Sequence, residues 1–169
     1  PEEPDAGDIN FCLTFEVTAL EAKELGLTFT PEEYNESLDQ WRNMPQYHDA
    51  IIADAQNNLA QDSALTPAQK EEYQKIIEDA ERWKSNYLEA LNSILASENI
   101  TEAEFWQQEQ PYIEKGLYSE AYATYLIESY FAANSIDPDY ATELDMKAYE
   151  KYAKAEMEKL KKKYNVKER

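Results

Sequence analysis

The sequence predicts an all-α fold of about six helices, an antiparallel helical hairpin followed by C-terminal helices. Three observations predict it. Glycine occurs three times in 169 residues, which suits long helices with few corners and not a turn-rich β fold. Good helix formers, Ala, Glu, Leu, Lys and Gln, make up nearly half of the chain. Three segments open with Thr-x-x-Glu or Thr-x-x-Gln ahead of a periodic apolar run, at 30–33, 66–69 and 101–104. In such a box the Thr hydroxyl accepts from the third helical amide while the Glu or Gln side chain reaches back to the Thr amide.

Residues 1–7, PEEPDAG, read as a flexible linker, and 8–169 as a single helical domain. Asp8 is placed to cap a first helix running to about Leu25, with Gly26 as its left-handed terminator and Leu27 folding back on the last turn. Residues 9–17 also alternate like a strand, with Ile9, Phe11, Leu13, Phe15 and Val17 on one side. Helix is the better reading, because no other segment offers a partner strand and a lone strand leaves its backbone unpaired.

Thr30-Pro31-Glu32-Glu33 starts the second helix, through Leu38 and Trp41 to about Asn43; Pro45 interrupts it, as a kink or as a fresh first position after a short break, and a further helix covers Pro45 to about Gln61. Thr66 caps a long fourth helix to about Ser97. Its residues Tyr73, Ile76, Ala80, Trp83, Tyr87, Leu91 and Ile94 are spaced three and four apart. This near-heptad seam predicts lengthwise packing, and the short link at 62–65 makes the third helix its hairpin partner. Thr101 opens a short helix with Phe105 and Trp106, ended by Pro111 and Gly116. A Tyr-rich helix follows to about Asn134, with Leu117, Ala121 and Leu126 as core. Asp137-Pro138 caps the last helix, 138–164.

Charge narrows the partner classes. The net charge is −19, and it is uneven: from Met146 onward nine Lys/Arg face four Asp/Glu, while the rest of the chain has seven Lys/Arg against 31 Asp/Glu. An acidic body excludes nucleic acid as the partner, because phosphate binding needs a basic surface. In the basic end Lys alternates with Glu at helix spacing, the pattern of a solvated face.

Catalytic and metal constellations are missing from the pattern. One cysteine, Cys12, excludes an intramolecular disulfide; among Phe11, Leu13 and Phe15 it reads as a buried, inert thiol. The single histidine, His48, sits in a polar run and reads as a surface residue. Counting an EF-hand loop from Asp137 puts Thr142 where Gly belongs and Ala148 where Glu belongs. No zinc cluster, phosphate loop or nucleophile elbow occurs. The reading is therefore no catalytic residue, no metal and no cofactor.

The aromatics remain: 13 Tyr, five Phe and three Trp. They serve a core, or a shallow groove that holds peptide, where Tyr and Trp give large contact area at low entropy cost. Trp106, Tyr112, Tyr118, Tyr122 and Tyr125 are the candidate peptide-binding residues, the last three sharing a helix face at i, i+4 and i+7.

Residues 21–38, EAKELGLTFTPEEYNESL, resemble the N-terminal region of SurA/PrsA-type secretion chaperones, in which a helix ending Ala-Lys-x-Leu-Gly precedes a Thr-x-Glu-Glu helix start. Residues 98–127 are similar to that family's Ile-Thr-x-Glu-x-Phe helix and the helix that closes the domain, and 149–168 to its C-terminal helix. The resemblance implies a SurA-N or trigger-factor-like helical domain that binds unfolded or extended polypeptide. It implies an extracytoplasmic setting, as a secreted protein or a cell-surface lipoprotein whose membrane contact is an N-terminal lipid anchor. No signal sequence is present in the chain. The parvulin-type prolyl isomerase domain common in that family has no counterpart in this Gly-poor sequence. The alternative readings are a structural or partner-binding helical module and, third, an enzyme such as a prolyl isomerase.

Overall fold

A computed structural model describes residues 6–61 and 65–165, with side chains described from Cys12 onward. Among the described residues there are six α-helices, one 3-10 turn and no strand. The helices are α1 (Ala6–Glu24), α2 (Pro31–Arg42), α3 (Met44–Gln61), α4 (Pro67–Glu98), α5 (Glu102–Asn134) and α6 (Glu143–Lys163). They fall into two compact units, one of Pro1–Tyr34 with Gln110–Arg169 and one of Asn35–Glu109.

Local capping chemistry sets most of the boundaries. Glu33 N donates to Thr30 Oγ1 at 3.1 Å and Thr30 N donates back to Glu33 Oε2 at 2.6 Å. The same reciprocal pairs join Thr66 with Gln69 and Thr101 with Glu104. Gly26, at φ 72°, ends α1; Leu27 N reaches Ala22 O at 2.9 Å and Gly26 N reaches Lys23 O at 3.1 Å, a Schellman ending. Ser135 closes α5 in the same way at φ 56°, with Ile136 N on Phe131 O.

Four boundaries differ from the sequence reading. Helix α1 begins at Ala6, so Asp8 lies inside it and is no cap, and 9–17 are helical throughout; of the expected linker, residues 1–5 lie outside the described residues. Helix α5 is one element of 33 residues that passes through Pro111 and Gly116. Pro111 and Gln107 are both exposed, so the carbonyl that loses its amide partner belongs to a residue open to solvent, where the lost bond costs least. Asp137-Pro138 caps only the 3-10 turn Pro138–Tyr140. The last helix starts later, at a fourth capping box: Asp145 N donates to Thr142 Oγ1 at 3.2 Å and Thr142 N to Asp145 Oδ2 at 2.8 Å.

The first unit has its core where α1, α5 and α6 meet. Val17, Ala22, Tyr122, Leu126 and Leu160 are buried together, flanked by Leu27, Tyr118, Tyr149, Tyr152 and Met157. Aromatic rings join α5 to α6: Tyr130 lies 4.9 Å from Tyr152 and 5.6 Å from Tyr149 between ring centroids. Thr18, buried on α1, shares a 2.7 Å hydrogen bond with Ser119 of α5. At the end of α6, Lys163 pairs with Glu21 at 2.5 Å and Glu24 at 2.7 Å, and Tyr164 Oη donates to Glu21 at 2.9 Å. These bonds hold the Lys163 ammonium well above its ordinary range and the Glu24 carboxyl below its own. Burial, reinforced by Glu21, pushes the Tyr164 phenol up to about 12.

In the second unit α3 and α4 form the expected antiparallel hairpin. Its seam is shifted from the sequence reading. Tyr73, Ile77, Ala80, Lys84, Tyr87, Leu91 and Leu95 are among the shielded positions of α4, whereas Trp83 is 64% exposed and Ile76 lies at the edge. Lys84 takes the seam position because its stem is apolar while its ammonium reaches Asp49 of α3 at 2.5 Å. Tyr87 Oη donates to Trp41 O at 2.7 Å.

Candidate functional site

The five aromatics singled out from the sequence do not form one surface. Tyr122 is 4% exposed and sits in the core of the first unit. Burial, then the nearby carboxylates of Glu21 and Glu156, push its phenol up to about 12. Tyr118 is half-buried, with the edge of Phe29 at 4.9 Å and the Lys23 ammonium 4.7 Å above its ring. Tyr125 is 40% exposed and Tyr112 is 60% exposed, with Lys115 5.4 Å from the Tyr112 ring. Trp106, in the second unit, is buried; its Nε1 donates to Glu102 at 3.1 Å, and the Arg42 guanidinium stands 5.8 Å from its ring. Tyr112 and Tyr125 are thus free to touch a ligand, and Trp106 and Tyr122 act as core. Of the expected core positions, Leu126 is buried and Leu117 and Ala121 are half-buried.

Two other readings change. Cys12 is exposed rather than buried. His48 is half-buried rather than a surface residue; Tyr47 packs against its ring edge-on at 5.6 Å, and its Nδ1 is sealed from solvent with no hydrogen-bond partner among the described residues. Among the described residues no cluster of His, Cys, Asp or Glu is arranged to hold a metal ion. No described helix is long and apolar enough to cross a membrane.

Among the described residues, two recesses lie on the second unit, around Tyr47 at the start of α3. One open recess of about 740 Å³ lies at the turn between α2 and α3, lined by Glu36, Asp39, Gln40, Asn43, Met44, Gln46 and Tyr47. A second, of about 300 Å³, runs on between α3 and α4, lined by Tyr47, Ala50, Ile51, Asp54, Ala55, Tyr73 and Ile76. Tyr47 is 61% exposed and borders both. The spacing 47, 50, 54 keeps one face of α3 along the groove, and Trp83, seven residues beyond Ile76, continues the same face of α4.

The recess between α3 and α4 is lined mainly by apolar side chains, whereas the one at the α2–α3 turn sets the amides Gln40, Asn43 and Gln46 beside Met44 and Tyr47; Glu36, Asp39 and Asp54 add carboxylates, and the lining includes no Lys or Arg. It contains no nucleophile beside a base. Such a surface is suited to bind by burying apolar side chains, with charge setting preference. The sequence did carry a signal for it: Met44, Tyr47 and Ile51 recur at helical spacing in a short segment that also holds Ala50 and Asp54.

Comparison with known proteins returns no relative: no family model, no curated protein and no solved structure matches this chain.

Proposed function

We propose that this chain is a non-enzymatic, chaperone-like module that holds unfolded polypeptide, and that the Tyr47 groove is its principal contact surface. The observation that carries the reading is an open, largely apolar groove bordered by Tyr47, Tyr73 and Ile76 on a helical hairpin. Exposed aromatic area of this kind favours transient contact with apolar client segments, because each ring buries much area for little lost freedom. Exposed Tyr112 and Tyr125 add contact points on the other unit. The extracytoplasmic setting rests on the resemblance to secretion chaperones alone.

A second reading, a structural or partner-binding module, is favoured by one observation: Tyr122, the centre of the expected aromatic face, is core. The two readings separate in an aggregation assay with a chemically unfolded client. The holding module suppresses light scattering in proportion to its concentration, and Tyr47→Ala with Trp83→Ala removes most of that effect while far-UV circular dichroism stays unchanged. Suppression that survives the double substitution rejects the groove. An intact chain that suppresses nothing rejects the holding function.

A further inference from the structure

We propose that the occupant of the Tyr47 groove is a cationic amphipathic helix, a Lys- or Arg-flanked apolar stripe on a segment of another polypeptide. The inference rests on the polypeptide-holding reading and names its ligand. Two features of the groove select that occupant, its backbone and its charge.

The backbone argues for a helix. Both walls are α-helices, whose interior N–H and C=O groups are already spent on their own bonds. They offer an extended peptide no edge to pair with. An extended segment laid on Ala50, Ile51, Tyr73 and Ile76 would bury peptide groups that those side chains cannot pair. A helix brings its own backbone bonds and presents only side chains, and it packs on the hairpin as a third helix does.

The charge argues for a cation. Glu36 and Asp39 stand on one recess and Asp54 on the other, with no Lys or Arg among the lining residues. None of the three carboxylates has an ion pair within reach among the described residues. An anionic helix would meet like charge along its whole length. A cationic one places its flanking ammonium or guanidinium groups against the rim while its apolar stripe covers Tyr47, Ala50 and Ile76.

The test uses the full chain and fluorescence anisotropy with labelled peptides of about 18 residues, long enough for five helical turns. Three peptides are compared: a Leu/Lys amphipathic helix, its Leu/Glu counterpart, and a Leu/Lys peptide carrying two central prolines. The Leu/Lys helix is expected to bind, about tenfold more weakly to Tyr47→Ala, a loss typical of a central aromatic contact. The triple variant Glu36→Gln, Asp39→Asn, Asp54→Asn is expected to lose about fivefold and to flatten the salt dependence. A control triple on α6, Glu143→Gln, Glu150→Gln, Glu158→Gln, lowers the overall charge equally and is expected to leave binding within about twofold, since those sites lie outside the groove.

Equal binding of the proline peptide overturns the helical occupant and leaves the polypeptide-holding reading standing. Equal binding of the Leu/Glu helix, or an equal loss in the α6 control, overturns the charge argument. Failure of all three peptides together with failure to suppress client aggregation overturns both the ligand and the function on which it rests.

Discussion

Replacing Tyr122 and Tyr125 separately with alanine distinguishes scaffold from surface on α5. The two lie three residues apart on one helix, and their rings are 6.3 Å apart. Tyr122 is 4% exposed and Tyr125 40% exposed. Truncating a buried aromatic to alanine removes its transfer energy and leaves a cavity among Val17, Leu126 and Leu160, a cost of about 3–5 kcal/mol. For Tyr125 water fills the space. About three-fifths of the 1.5–3 kcal/mol for full burial is lost, or roughly 1–2 kcal/mol. With a urea slope of about 2 kcal/mol per molar, the midpoints fall by roughly 1.5–2.5 M and 0.5–1 M.

The assay is urea unfolding of the whole chain followed by far-UV circular dichroism. Tyr122→Phe serves as the third variant, because it keeps the ring volume and should cost no more than about 1.5 kcal/mol. Equal midpoints for Tyr122→Ala and Tyr125→Ala would refute the placement of Tyr122 in the core. So would a Tyr122→Phe variant as unstable as the alanine one, since ring volume would then not be what matters.

The remaining predictions concern charge. Lys163→Met should remove the link to Glu21 and Glu24, and its effect should depend on pH. Glu24 has a depressed folded pKa, so its contribution is present above about pH 4.5 and lost as pH falls through the depressed value; Lys163 has a raised one, so its contribution is present below about pH 10 and lost as pH climbs past it. The gap in urea midpoint between wild type and Lys163→Met should therefore be largest near neutrality and shrink below about pH 4; an unchanged gap in acid rejects the pairing. Lys84→Leu should stabilise the hairpin by about 0.5–1 kcal/mol, because a partly exposed ion pair with Asp49 is worth little and a seam position rewards apolar volume. A lower urea midpoint would show that Lys84 is held by its charge and not by its stem.

The helices were legible because their starts are written locally. A Thr hydroxyl and a Glu or Gln three residues on make a bond within one turn, and nothing distant can alter it. The start at Thr142 is weakly written for two reasons: its N3 partner is Asp145, and Asp137-Pro138 just upstream is a stronger-looking start that caps a 3-10 turn. Pro111 misled for a different reason. Proline breaks a helix when the freed carbonyl has no other partner, and position 107 is open to solvent.

The seam of α4 shows what a hydrophobicity pattern misses. Trp83 outranks Lys84 on any scale, so the eye places the heptad on Trp83. In the structure Lys84 is the shielded residue, its apolar stem against the hairpin and its ammonium on Asp49, while Trp83 lies exposed. The same holds on α5. Tyr118, Tyr122 and Tyr125 share a face in the helical wheel, yet the buried stripe there is centred nearer Leu126, and Tyr125, one residue before it, is turned away by about 100°.

The position of the groove follows from these same shifts. With Trp83 in the seam, α4 would turn, and Ile76 would pass from the edge of the hairpin to its interior, since seven residues bring the chain back to nearly the same angle. Tyr73 and Ile76 would then no longer face Tyr47 across an open recess. Lys84 in the seam is therefore what leaves an apolar edge on the hairpin without a partner. A chain that hides its lysine stem and shows its tryptophan keeps apolar area at the surface, and the acidic rim of Glu36, Asp39 and Asp54 raises the cost of self-association there through like-charge repulsion between copies.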